Sequence, residues 1–181
     1  WWPSTQDRWP KAIHLDGAVD PVDWPLIHRE WNPPGKRRFL YVGCTLPCKG
    51  IDRLSALALE HGGPDLWWHV GPGTVPGCRE FGYVENWRVI AAECDFLICC
   101  GRNDANPTTV LEAACMGLIP IVSDGCGWNG DVSAPGTDGV PLFQGASPEM
   151  LNTIASRIRC EVLCFYGFSA MLDTVLAAIK T

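Results

Sequence analysis

The stretch PTTVLEAACMG, residues 107–117, has the pattern of a helix that is apolar nearly all round, yet it carries one carboxylate, Glu112. Such a helix is buried, and a buried carboxylate is costly unless something hydrogen-bonds it. The residues three and four positions away are Thr108, Thr109, Cys115 and Met116, so no Lys, Arg or His on this helix neutralises the charge. Either Glu112 marks a narrow stripe open to solvent, or its partner is a ligand rich in hydroxyl groups.

Just upstream, Asn106 is a good helix cap and Pro107 suits the first helical position. The amides of Thr108 and Thr109 then lie in a first turn where no helix carbonyl accepts from them, and such amides make an anion site. A second candidate is GCTLPCKGIDRL, residues 43–54. Gly43 ends an apolar run and permits a tight turn, while Lys49 and Gly50 open the next helix-like segment. A Lys beside a helix N-terminus adds its charge to the amides and the helix dipole, an arrangement able to hold a phosphate. The plainer alternative is a solvated loop side chain, because the P-loop pattern G-x-x-x-x-G-K-[ST] is absent.

These residues depend on the elements that carry them. FLYVG (39–43), LWWHVG (66–71), FGYV (81–84), CDFLICC (94–100), IPIVSD (119–124) and VPLF (140–143) are short, apolar and β-prone. Helix-like segments GIDRLSALALEH, ENWRVIAAE and PTTVLEAACMG lie between them, and SPEMLNTIASRI and FSAMLDTVLAAIK follow. Near-continuous apolar strands alternating with helices predict an α/β fold, a doubly wound, mostly parallel six-stranded Rossmann-like sheet with helices on both faces. Such sheets bind ligands at the carboxyl ends of their strands, which directs attention to the loops after Val42, Val70, Cys100 and Val122. Residues 1–35, rich in Pro and Trp, read as a linker or wrap-around arm with one short strand, AIHL, and residues 36–181 as the domain itself. The loop HVGPGTVPG lacks G-x-G-x-x-G with a helix at once behind it, which argues against a nicotinamide dinucleotide. His69, just before it, reads as a core or edge residue rather than a base.

With 47% hydrophobic and 19% charged residues, the 181-residue chain can bury the core of one domain. A net charge of −6 without a basic stripe argues against a nucleic-acid partner. No apolar run reaches the length of a membrane span, and WWPSTQDRWP lacks the layout of a signal peptide, so the expected location is cytoplasmic. Cys94, Cys99, Cys100, Cys115 and Cys164 sit within apolar runs and read as buried reduced thiols. The Cys44/Cys48 and Cys160/Cys164 spacings lack a second ligand pair, and no metal is expected.

Asp104 and Glu112 stand eight positions apart, and DANPTTVLEAACMGLIPIVSD resembles the E-x7-E region of family 4 retaining glycosyltransferases of the GT-B fold. FLYVG-x5-KGIDRL resembles the first strand, loop and helix of their C-terminal, donor-binding domain. LWWHVGPG, FGYV and CDFLI resemble the next strands, YGFSAMLDTVLAAI the closing helix, and IHLDGAVDPVDWP the interdomain linker. The blocks fall in the right order over residues 12–180.

The resemblance implies transfer of a sugar, with retention, from a nucleoside diphosphate sugar, with no further cofactor. It implies that Glu112 accepts from the nucleotide ribose hydroxyls and that Asp104 faces the donor sugar. Ala105 to Thr109 would form the turn whose backbone amides contact the sugar and distal phosphate, and Lys49 would stabilise the diphosphate leaving group. The absence of a D-x-D triplet fits the metal-independent style of that fold. The Arg usually found five positions before the Lys is Cys44, so either Arg102, Arg38 or Arg53 supplies a second cation or the donor site is weakened. The acceptor, a glycan or small molecule, would come through an N-terminal domain for which this chain has no room. Two other readings stand beside this one. The chain could be a non-catalytic nucleotide- or sugar-binding or regulatory module on the same fold, for which Cys44 and Asp104 argue. It could belong to another doubly wound family, but epimerases need a Y-x-x-x-K pair and receiver domains an acidic cluster after the first strand, and neither is present. The chain alone is expected to bind nucleotide with little or no transferase activity, and a donor-turnover assay showing full activity without a second domain would contradict this.

Overall fold

The structure is a computed structural model that describes residues 18–27, 30–102, 104, 106–126, 134–135 and 140–167. Strands β1 (Phe39–Val42), β2 (Trp67–Val70), β3 (Arg79–Glu80), β4 (Phe96–Cys99), β5 (Ile119–Val122) and β6 (Ala134–Pro135) form one sheet in the order β3-β2-β1-β4-β5-β6. Every pairing is parallel. The helices are α1 (Ile51–Glu60), α2 (Arg88–Ala91), α3 (Thr108–Met116), α4 (Val140–Gly145) and α5 (Pro148–Phe165). The α/β doubly wound expectation holds, and the strand order reverses between β1 and β4, the switch point at which such sheets bind ligands.

Four strands lie inside the apolar runs predicted for them, and β2, β4 and β5 are buried along their whole length. Phe39 stacks on Trp67 at 4.5 Å and on Phe96 at 5.0 Å, pairing the same residues that the register sets side by side. Such cross-strand aromatic pairs add about 0.5–1.5 kcal/mol each beyond area burial and hold the central register. Pro120 sits in a buried strand, where its missing N–H would break a ladder. The amide of Ile119 points to the β4 side, donating to the Asp95 carbonyl, so Pro120 faces the other way. There, among the described residues, β6 pairs with Ile121 and Val122 and not with Pro120.

Two predicted strands are corrected. FGYV is not a strand; the pairing with β2 falls earlier, at Arg79–Glu80, and Gly82 turns the chain with φ +67°. VPLF is helical and forms most of α4, with Val140 and Phe143 buried three residues apart. A four-residue apolar run satisfies either period, so length alone could not separate the two. The edge strand is Ala134–Pro135, which no apolar run marks. Helix α5 runs beyond its predicted end to Phe165, capped by Ser147, whose hydroxyl accepts from the Met150 amide at 3.3 Å. Cys94, Cys99, Cys100 and Cys115 are buried as expected, but Cys164 is exposed on α5. AIHL and FSAMLDTVLAAIK lie outside the described residues.

Residues of the arm lie against the domain. The Val19 amide donates to Tyr166 O at 2.9 Å, Ile27 to Met116 O at 3.0 Å, and Trp24 meets Trp87 with ring centroids 5.2 Å apart. At the amino ends of the strands the buried Asp95 carboxylate accepts from the Asn32 amide at 2.9 Å and the Arg38 amide at 2.8 Å.

At the carboxyl ends the layers close on glycines. Gly50 has φ +69°, and a Cβ there would stand 2.0 Å from the Cys100 carbonyl oxygen. The start of α1 is thereby laid directly on the end of β4. Gly50→Ala combines left-handed strain with a backbone clash and should cost about 2–4 kcal/mol. Urea unfolding measures it, and a loss within error of zero would show that the approach is not tight.

Candidate functional site

The loop after β1 is fixed from several sides. The Tyr41 hydroxyl donates to Cys44 O at 2.7 Å, and a 3-10 turn, Pro47–Lys49, leads into Gly50. The buried His69 ring contacts Gly43 O through Nε2 at 2.9 Å and Glu80 Oε2 through Nδ1 at 2.5 Å. His69 is a core residue as the sequence suggests, and it also props Gly43. Gly71 completes the contact, since a Cβ on it would meet Gly43 O at 2.1 Å.

Across the switch point the Arg102 amide donates to Cys48 O at 2.8 Å and draws the loops after β1 and β4 together. Lys49 Nζ then reaches Asp104 Oδ2 at 2.6 Å, with 30% of the Lys49 side chain and 14% of the Asp104 side chain exposed. Two residues that sequence assigns separately, one to phosphate and one to sugar, thus meet in an ion pair. Burial pulls the Lys49 pKa down, but the Asp104 carboxylate outweighs it and the net shift is upward. Asp104 is positioned from β5: its amide donates to Gly125 O at 3.1 Å, and the Ser123 hydroxyl donates to Gly101 O at 2.6 Å. Beneath it the Cys99 and Cys126 sulfurs lie 3.2 Å apart.

The N-terminus of α3 differs by one residue from expectation. Pro107, not Asn106, occupies the cap position, because its ψ of 104° is extended and the helix begins at Thr108. Asn106 is exposed and no side chain caps the turn. The amides of Thr108 and Thr109 remain in the first turn, where no intrahelical carbonyl accepts from them. Glu112 is half-buried and accepts from the Thr108 hydroxyl one turn earlier. Burial raises its pKa, and the Thr108 bond offsets only part of that.

Of the three arginines that could substitute at Cys44, Arg102 and Arg38 already hold carboxylates, while Arg53 lies close enough to the end of β4 for its charge to act on the Cys100 thiol. Arg102 is forked onto Asp52, both on the exposed rim. Arg38 lies at the amino end of β1, over the Trp68 ring at 4.7 Å and paired with Glu93. Arg53 is exposed on α1. Among the described residues no three His, Cys, Asp or Glu side chains converge on a possible metal position, and no helix is long and apolar enough to cross a membrane. The bonds His69–Gly43, Arg102–Asp52 and Asp104–Gly125 carry no sequence signal, since their partners lie far apart in the chain and meet only where strand ends converge.

No protein-family model matches the chain, and no curated protein sequence does. Solved structures do match. A glycosyltransferase from Rickettsia africae superposes with a TM-score of 0.71 at 13% identity over 93% of this chain and 56% of its own. HepE from Anabaena, solved with UDP and glucose, gives 0.70 at 11% identity over 92% of this chain and 56% of its own. Sucrose-phosphate synthase from Thermosynechococcus elongatus gives 0.69 at 14% identity over 98% and 55%. The fold is that of a GT-B glycosyltransferase domain. This GT-B-like chain spans about half the length of those structures.

Among the described residues no cation pairs with the lone carboxylate of α3. A carboxyl whose folded pKa is raised is favoured neutral, so folding loses stability as pH climbs from the ordinary glutamate range through the raised value. Glu112→Gln should remove that slope and raise the thermal midpoint at neutral pH by up to a few degrees. Melting curves recorded across the acid range test this, and a midpoint that falls at neutral pH would mark Glu112 as structural.

Proposed function

We propose that this chain is the donor-binding domain of a family 4 retaining glycosyltransferase, one half of an enzyme that transfers a sugar from a nucleoside diphosphate sugar. The observation that carries the reading is the meeting of Lys49 and Asp104 at the β1/β4 switch point, in the loop that leads into α3 with Glu112, a carboxylate that no cation among the described residues pairs with. Each fits one part of such a donor. Glu112 accepts from the ribose hydroxyls, and the amides of Thr108 and Thr109 receive a phosphate. Lys49 stabilises the charge that builds on the diphosphate as the glycosidic bond breaks, and such charge stabilisation is often the largest single catalytic contribution. Asp104 accepts from donor-sugar hydroxyls, and Gly43 and Pro107 keep the backbone of both loops close to the ligand. Residues 1–35 belong to the interdomain linker, the acceptor enters from a second domain, and the protein works in the cytoplasm. HepE, with UDP and glucose, supports a uridine nucleotide as the first donor to try.

Calorimetric titration of the chain with nucleoside diphosphates and their sugars tests the proposal, and silence at millimolar ligand sinks it. Lys49→Ala should weaken binding about tenfold or more, the worth of a charge-assisted contact to phosphate. An unchanged affinity would remove Lys49 from the site.

A further inference from the structure

Resting on the donor-site reading, we propose that Asp104 is a specificity-determining residue that makes the site prefer the intact nucleotide sugar over the bare nucleoside diphosphate. Lys49, the one Lys at the site among the described residues, is bound at 2.6 Å to a carboxylate that is itself only 14% exposed. The neighbouring cation, Arg102, is committed to Asp52, and position 44 is a Cys. A diphosphate arriving at Lys49 therefore has two options, and each costs. It breaks the pair and leaves a largely buried carboxylate without a partner, or it shares Lys49 and places its own charge against Asp104. A sugar carried on the distal phosphate resolves both, because its hydroxyls donate to the carboxylate that Lys49 gives up. Rejection of the bare nucleotide is thus a repulsive element built into the site, and it also favours release of the nucleotide after transfer.

The backbone of Asp104 is anchored independently of its carboxylate. Its amide is held by Gly125 O at 3.1 Å, so a neutral side chain at position 104 leaves that anchor intact. Asp104→Asn, with Asp104→Ser as a second variant, is titrated with UDP and with UDP-glucose, and wild type in parallel. The expected result is UDP bound about tenfold tighter by the variants, with UDP-glucose gaining less or weakening, so that the preference for the sugar nucleotide collapses. UDP affinity equal to or below wild type in both variants overturns the inference while the donor-site reading survives. Failure of wild type and both variants to bind either ligand at millimolar concentration overturns the two together.

Discussion

The site depends on one close approach, that of Gly50 to the carbonyl of Cys100. Any side chain at position 50 would collide with the backbone at the end of β4, so only glycine lets the start of α1 lie there. From that contact follow the Arg102–Cys48 bond and the Lys49–Asp104 pair. The sheet order supplies the setting: β1 and β4 are neighbours although β2, β3 and their connections lie between them in sequence. In a doubly wound sheet this reversal of strand order is where the loops carry a ligand. The glycines at 43 and 71 repeat the same device on the next strand pair, where backbone again meets backbone.

Polar groups at the crevice are arranged for something other than stability. Glu112 pays a desolvation cost that a single Thr108 hydroxyl does not cancel. The Lys49–Asp104 pair is mostly buried, where the cost of desolvating both charges offsets much of their attraction. At the opposite end of the sheet the polar groups behave differently. Asp95 is fully buried, but it accepts from several donors and ties arm to domain. One end holds a carboxylate answered by several donors; the other holds a half-answered carboxylate and a cation bound to another carboxylate.

Much of this was legible from residue order. Apolar runs of the right length located four of the strands, and Gly and Asp at their ends marked where loops begin. The solitary Glu112 stood out because its helix has no cation in reach. The errors came where periodicity has little to work on. VPLF is too short to separate a helix turn from a strand, and FGYV carries a glycine that turns the chain out of the sheet. The helix start moved by one residue because Pro107 satisfies both the cap and the first helical position, and only its ψ decides between them.

Sequence by itself determined the layers, the face of each loop and the identity of the candidate groups, because those follow from local periodicity, turn residues and side-chain chemistry. Tertiary structure decided which groups meet. Lys49 and Asp104 are separated by 55 positions, and their contact exists because a parallel sheet brings two carboxyl ends side by side and a missing Cβ closes the gap. The same convergence sends Arg102 to Asp52 and His69 to Gly43. No local pattern encodes such pairs, since their energy depends on a distance that only the folded sheet sets.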